Sequence, residues 1–166
     1  MSASQQEIIN TITLTRLNYF SLAGILELYR RAGSATTILE NKENIRDILP
    51  DASDKLVETL KNSDEARRRA EVEMEYDLKY GIMPLCMNDE RYPQRLKECD
   101  DAPLMLFYKG TADLNQKRVI NIVGTRRCTL YGEDIIRRFI ADLKRLCPQV
   151  LVVSGLAYGV DIHAHQ

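Results

Sequence analysis

Apolar positions along the first 65 residues recur at three- and four-residue intervals, the spacing that lines one face of a helix. Ile8, Ile9 and Ile12 form one such face, and Leu22, Ile25, Leu26 and Tyr29 form another. Gly33 is placed to stop the second helix and Ser34 to cap the next. Ile45 to Leu49 runs into Pro50, and Asp51 or Ser53 can cap a helix carrying Leu56, Val57 and Leu60. The pattern predicts an all-helical module of four or five helices over residues 1–65. A charged helix follows from Asp64 to Lys79. In it Ala66, Ala70, Met74 and Leu78 make an i, i+4 row, while Arg67/Glu71, Arg69/Glu73 and Glu75/Lys79 are spaced for surface pairs. With Gly81 as its stop, this reads as a connector helix over residues 66–81.

After Gly81 the period changes. Ile82 to Cys86 and Leu104 to Tyr108 are short strand candidates, separated by Tyr92-Pro93-Gln94-Arg95-Leu96, which predicts a helical turn with proline at its first position. Val119 to Val123 and Val150 to Val153 are compact runs rich in β-branched residues and without polar alternation, as strands covered on both faces would be. Between them a helix from Tyr131 to Leu146 carries Ile135, Ile136, Phe139, Ile140, Leu143 and Leu146 on a broad apolar stripe. The two runs and their crossover predict a right-handed β-α-β unit. The fold class expected is α/β, a parallel sheet with edge strands over residues 82–166, preceded by the helical module.

Composition narrows the function. A hydrophobic content of 45% suits a buried core. The N-terminus has no basic region followed by an apolar one, and no apolar run approaches the ~20 residues of a membrane helix, so a cytoplasmic, membrane-free protein is expected. Cys86, Cys99, Cys128 and Cys147 lie far apart without a C-x-x-C pair and read as reduced structural residues. A net charge of −1 excludes a generally basic nucleic-acid coat, so any anion site must be local. Lys117 to Arg145 holds eight basic residues against three acidic ones.

The candidate chemistry sits where the two core strands end. Gly124-Thr125-Arg126-Arg127 follows the first, and Ser154-Gly155-Leu156-Ala157-Tyr158-Gly159-Val160-Asp161 follows the second. Ligands of open parallel sheets bind beyond the carboxyl ends of strands, so neighbouring strands would turn both loops toward one ligand. Gly124, Gly155 and Gly159 would let backbone amides approach an anion, Ser154 and Thr125 can donate hydroxyls, and Arg126 offers the planar fork that matches phosphate oxygens. The bland alternative is that the glycines serve only tight turns and that Arg126 is a solvated surface charge. Neither loop is a dinucleotide fingerprint or a P-loop, so no nucleotide cofactor is indicated. His163 and His165 would share a face on a strand, but on a helix they diverge by about 200°, which argues against a metal site. Asp161 is expected to cap or order the glycine loop, and His165 to fix its geometry or lie near the phosphate.

A series of motifs in order resembles the DNA-processing protein A (DprA/Smf) family. It consists of Tyr92-Pro93 with Leu96, Ala102 to Gly110, Ile122 to Arg127, Tyr131-Gly132, and Ser154 to His165. The resemblance implies an extended Rossmann-like domain without a dinucleotide. In it the G-[ST]-R turn, here Gly124, Thr125 and Arg126, holds a phosphate of single-stranded DNA, and Ser154, Gly155 and Gly159 complete the pocket. Arg127 is a secondary candidate, and Lys109-Gly110 ends a strand of the family pattern. The helical module is similar, more weakly, to a SAM or helix-hairpin-helix domain. Its hairpin, Asn18-Tyr19-Phe20-Ser21, lacks glycine, so protein contact or simple packing is expected of it rather than DNA contact.

The function implied is a non-enzymatic, single-strand-binding protein of natural transformation that protects incoming DNA and loads the RecA recombinase, homodimeric at full length. Its self-association and RecA surfaces, and any winged-helix domain, would lie mainly beyond these residues. The rival is a phosphoribohydrolase of the LOG type acting on a nucleoside monophosphate; its P-G-G-x-G-T loop does not occur here. A fragment without activity is a third possibility.

Overall fold

The computed structural model describes residues 4–17 and 22–166, so the stretch 18–21, where the sequence raised a hairpin, lies outside the described residues. It divides into two compact units, residues 1–111 and 112–166. The first holds α1 (Gln5–Thr15), α2 (Leu22–Ala32), α3 (Ala35–Glu40), a 3-10 segment (Lys42–Asp47), α4 (Asp54–Lys61), α5 (Asp64–Tyr80), β1 (Met83–Cys86), α6 (Gln94–Lys97) and β2 (Met105–Tyr108). The second holds β3 (Val119–Asn121), α7 (Leu130–Leu146), β4 (Leu151–Val153) and α8 (Val160–His163).

Local signals set the helix boundaries in the first unit. Gly33 takes φ +80 behind α2, Ser34 accepts from the Thr37 amide at 3.0 Å to start α3, and Ser53, not Asp51, caps α4 through the Leu56 amide at 3.2 Å. Pro93 stands just before α6 rather than inside it. Ile25, Leu26, Leu28, Tyr29, Ile38, Ile45, Leu56 and Leu60 close one core, joined by Met87 and Leu104. Ile12, Ala70, Cys86 and Met105 close a second, where α1, α5 and the two strands meet.

One buried carboxylate organises this module. Glu7, in the first turn of α1, accepts from the amides of Ala35 (2.8 Å) and Thr36 (2.9 Å) and from the Thr36 hydroxyl (2.6 Å), supplying acceptors to donors that the start of α3 leaves unpaired. Burial, and then the nearby Glu7 carboxylate, push the Tyr29 phenol well above its ordinary value, so it stays a neutral donor, reaching Glu7 at 3.3 Å.

Several expectations are corrected. The strand candidates before residue 110 do not join the parallel sheet. β1 and β2 pair antiparallel with each other, Met83 opposite Tyr108 and Cys86 opposite Met105, within the first unit. The connection over residues 87–104, which carries α6, brings β2 back beside β1 in the opposite direction. On α5 the buried row is Ala66, Ala70, Met74 and Asp77, while Leu78 is exposed. Strict four-residue steps drift around a helix of 3.6 residues per turn, and the final three-residue step returns the face to α1 and β1. Arg69 pairs with Glu65 at 2.7 Å rather than with Glu73, which pairs with Arg16. In the second unit the strands are half-buried rather than covered on both faces, and α7 has no fully buried residue. Ile136, Ile140 and Leu143 are half-buried while Ile135, Phe139 and Leu146 are exposed, because a two-stranded sheet offers too little area for so broad a stripe.

Cys86, Cys99, Cys128 and Cys147 are all free thiols, and burial pushes that of Cys86 up to about 11. Among the described residues no helix is long and apolar enough to cross a membrane.

Asp77 is 3% exposed, one of its oxygens has no partner among the described residues, and burial raises its carboxyl above the ordinary value. A raised folded-state pKa favours the protonated form. The associated stability is complete below the unfolded-state value and is lost as pH rises through the folded one. Asp77→Asn is therefore expected to raise the melting temperature at about pH 7 and to lose that gain near pH 3, below the ordinary Asp value. Thermal melts at both pH values check this; an equal shift at both contradicts it.

Candidate functional site

In the second unit β3 and β4 are parallel neighbours, with Val119, Ile120 and Asn121 opposite Leu151, Val152 and Val153. The ladder extends by Leu151 N donating to Arg118 O and Ile122 N to Val153 O, both at 2.9 Å. The loops after the two strands therefore leave from the same edge. At the other end of the strands a cleft of about 560 Å3 is lined by Asp113, Lys117, Arg118 and Cys147.

Asp161, in the first turn of the four-residue α8, is 3% exposed. Its Oδ1 accepts from the Gly124 amide at 3.2 Å and its Oδ2 from the Gly155 amide at 3.1 Å, so one carboxylate spans both loops. The Val160 amide donates to Thr125 O at 3.1 Å and adds a backbone tie between them. Each loop is also closed on itself by a hydroxyl: Thr125 Oγ1 accepts from Arg127 N at 3.2 Å, and Ser154 Oγ from Leu156 N at 3.0 Å. The latter bond accompanies a left-handed φ of +52 at Leu156, unusual for a branched residue.

The glycines answer to this packing. A Cβ on Gly159, which has φ +83, would lie 2.2 Å from Thr125 O, and one on Gly124 would lie 2.6 Å from Val160 Cγ2. A Cβ on Gly155 would meet Asp161 Oδ2 at 3.2 Å. The missing side chains thus let loop approach loop, a demand that neither a tight turn nor a ligand had suggested.

Of the candidate phosphate donors, the amides of Gly124 and Gly155 are taken by Asp161. The amides of Thr125, Arg126, Ala157, Tyr158 and Gly159 have no hydrogen-bond partner among the described residues. Arg126 and Arg127 are exposed, and neither side chain has an ion pair among the described residues. Lys109 and Gly110 follow β2 in the first unit. His165 Nε2 lies 2.9 Å from Ser154 Oγ, tying the end of α8 to the second loop. His163 turns the other way, its Nε2 3.3 Å from Glu133 of α7 and its Nδ1 3.0 Å from Gln166. Among the described residues no group of three or more His, Cys, Asp or Glu is gathered for a metal. The Glu133–His163 and Gly124–Val160 contacts carry no sequence signal, since thirty or more positions separate the partners.

Gly159→Ala is expected to cost roughly 2–4 kcal/mol, from a left-handed φ and an overlap with backbone that cannot swing aside. Urea denaturation followed by circular dichroism measures this; a loss under about 0.5 kcal/mol would contradict the close loop packing.

A family model of DNA recombination-mediator protein A matches residues 83–166, just over half of the chain. DNA processing protein DprA of Streptococcus pneumoniae is 40% identical over 77 residues, covering 46% of this chain and 26% of that protein. DNA processing protein DprA of Bacillus subtilis is 39% identical over 86 residues, covering 51% of this chain and 28% of its relative. The X-ray structure of DprA from Streptococcus pneumoniae matches with a TM-score of 0.65 at 25% identity, over 99% of this chain and 53% of that one. The chain thus spans about half of that solved chain, and its matched stretches about a quarter of the curated relatives. Both loops, with every residue that ties them together, fall inside the family match, and the chain belongs to the DNA recombination-mediator protein A family.

Proposed function

We propose that the paired loops of the second unit form a phosphate grip for single-stranded DNA. The observation that carries this reading is an exposed guanidinium, Arg126, without an internal partner, on an edge where two neighbouring parallel strands end in loops with unpaired amides. A guanidinium and several amides within a few residues suit the oxygens of one backbone phosphate. Arg127, on the same loop, supplies attraction for a neighbouring phosphate, while the net charge of −1 keeps it local. Such a grip reads backbone rather than sequence, so affinity falls steeply with salt.

In this reading the second unit and the strands before it, residues 82–166, are the first part of a Rossmann-like DNA-binding domain. Residues 1–65 are a SAM-like helical module, joined through residues 66–81. The whole protein is a cytoplasmic, non-enzymatic mediator of natural transformation that shields incoming single strands and hands them to RecA as a homodimer. The DNA-processing names of its relatives support the DNA-related part of this reading. Ser154, Gly155, Gly159, Asp161 and His165 hold the second loop in position, and Thr125 and Arg126 present the donors.

Arg126→Ala is expected to weaken single-strand binding roughly 10- to 100-fold and to reduce the slope of log K against log salt by about 0.7. Fluorescence anisotropy with a labelled oligonucleotide across a salt series checks both. Unchanged affinity and slope would remove the site.

A further inference from the structure

Tyr158 is 79% exposed, on a loop whose backbone is anchored on both sides of it. Ahead of it, Ala157 O accepts from Ile162 N at 3.1 Å; behind it, the Val160 amide holds Thr125 O at the same distance. The next residue, Gly159, packs so closely on the first loop that an added Cβ would sit 2.7 Å from the Arg126 carbonyl carbon. The ring of Tyr158 and the guanidinium of Arg126 therefore spring from adjoining stretches of fixed backbone. The ring stands exposed to solvent, as do Leu156 (66%) on its own loop and Val123 (76%) just ahead of the other.

A large aromatic face beside a phosphate anchor matches two features of a nucleotide in an unpaired strand, where the π-face of the base and the backbone oxygens are presented together. In a duplex the base faces are covered by their neighbours. We infer that Tyr158 is a stacking subsite for an unpaired nucleobase, adjacent to the phosphate held at Arg126, and that it supplies the preference for single strands. This rests on the phosphate-grip reading above. The ligand class is any unpaired base, because every base has a π-face.

The test compares the affinity of the chain for oligothymidylate with its affinity for a strand of equal length built from abasic sugar-phosphates. It is made in the unsubstituted chain, in Tyr158→Phe and in Tyr158→Ala, with circular dichroism to confirm folding. The unsubstituted chain and Tyr158→Phe are expected to prefer the thymidine strand by roughly 5- to 100-fold, the range for one stacked base. Tyr158→Ala is expected to bind both strands equally. Equal affinities in the unsubstituted chain, or a full preference surviving in Tyr158→Ala, overturn the inference while leaving the phosphate grip standing. Binding of neither strand overturns the grip as well.

Discussion

The carboxylate of Asp161 lies buried between two loops that share no sequence neighbourhood, one oxygen on the Gly124 amide and the other on the Gly155 amide. Everything the second unit presents at that edge depends on it. A buried carboxylate is tolerated when its oxygens are hydrogen-bonded, and here each oxygen accepts from one backbone amide, so loop positions and carboxylate position fix one another. The glycines follow from this constraint: with the loops drawn together, side chains at 124 and 159 would overlap Val160 and the Thr125 carbonyl. With Asp161 on the amides of Gly124 and Gly155, those of Thr125, Arg126 and Ala157 to Gly159 have no partner among the described residues, and the Arg126 guanidinium on the same loop has no ion pair among them.

The same device recurs in the first unit. Glu7 reaches from α1 to the first turn of α3 and accepts from two of its amides and from the Thr36 hydroxyl. In both units an acidic side chain from one helix satisfies backbone donors that the local chain cannot, which tightens a small core that hydrophobic area alone would hold weakly. The second unit has few buried residues, and half of the α7 stripe is exposed, so its polar ties carry a larger part of its definition.

Much of this was legible in the chain itself. The β-α-β order, the stops at Gly33 and Gly81, the cap at Ser34 and the shared edge of the two loops follow from periodicity, turn chemistry and the rule for parallel sheets. What was not legible depends on contacts between residues distant in sequence. Asp77 rather than Leu78 faces inward because helical drift is corrected by a three-residue step, which a row counted in fours does not reveal. β1 and β2 pair with each other because a strand candidate does not state its partner. The glycines could be assigned to turns or to ligand approach from sequence; the approach of one loop to the other becomes visible only with both loops in place. Tyr158 carries no periodic signal as one aromatic residue in a glycine loop, and its exposure is a property of the folded loop.

Amide hydrogen exchange at Gly124 and Gly155, measured residue by residue, tests the shared-carboxylate constraint most directly. Both amides are expected to be protected in the unsubstituted chain, and both to exchange at least roughly tenfold faster, together, in Asp161→Ala, in which each loses its acceptor. Protection that persists at either glycine without the carboxylate, or that is absent from either glycine with it, would contradict the account.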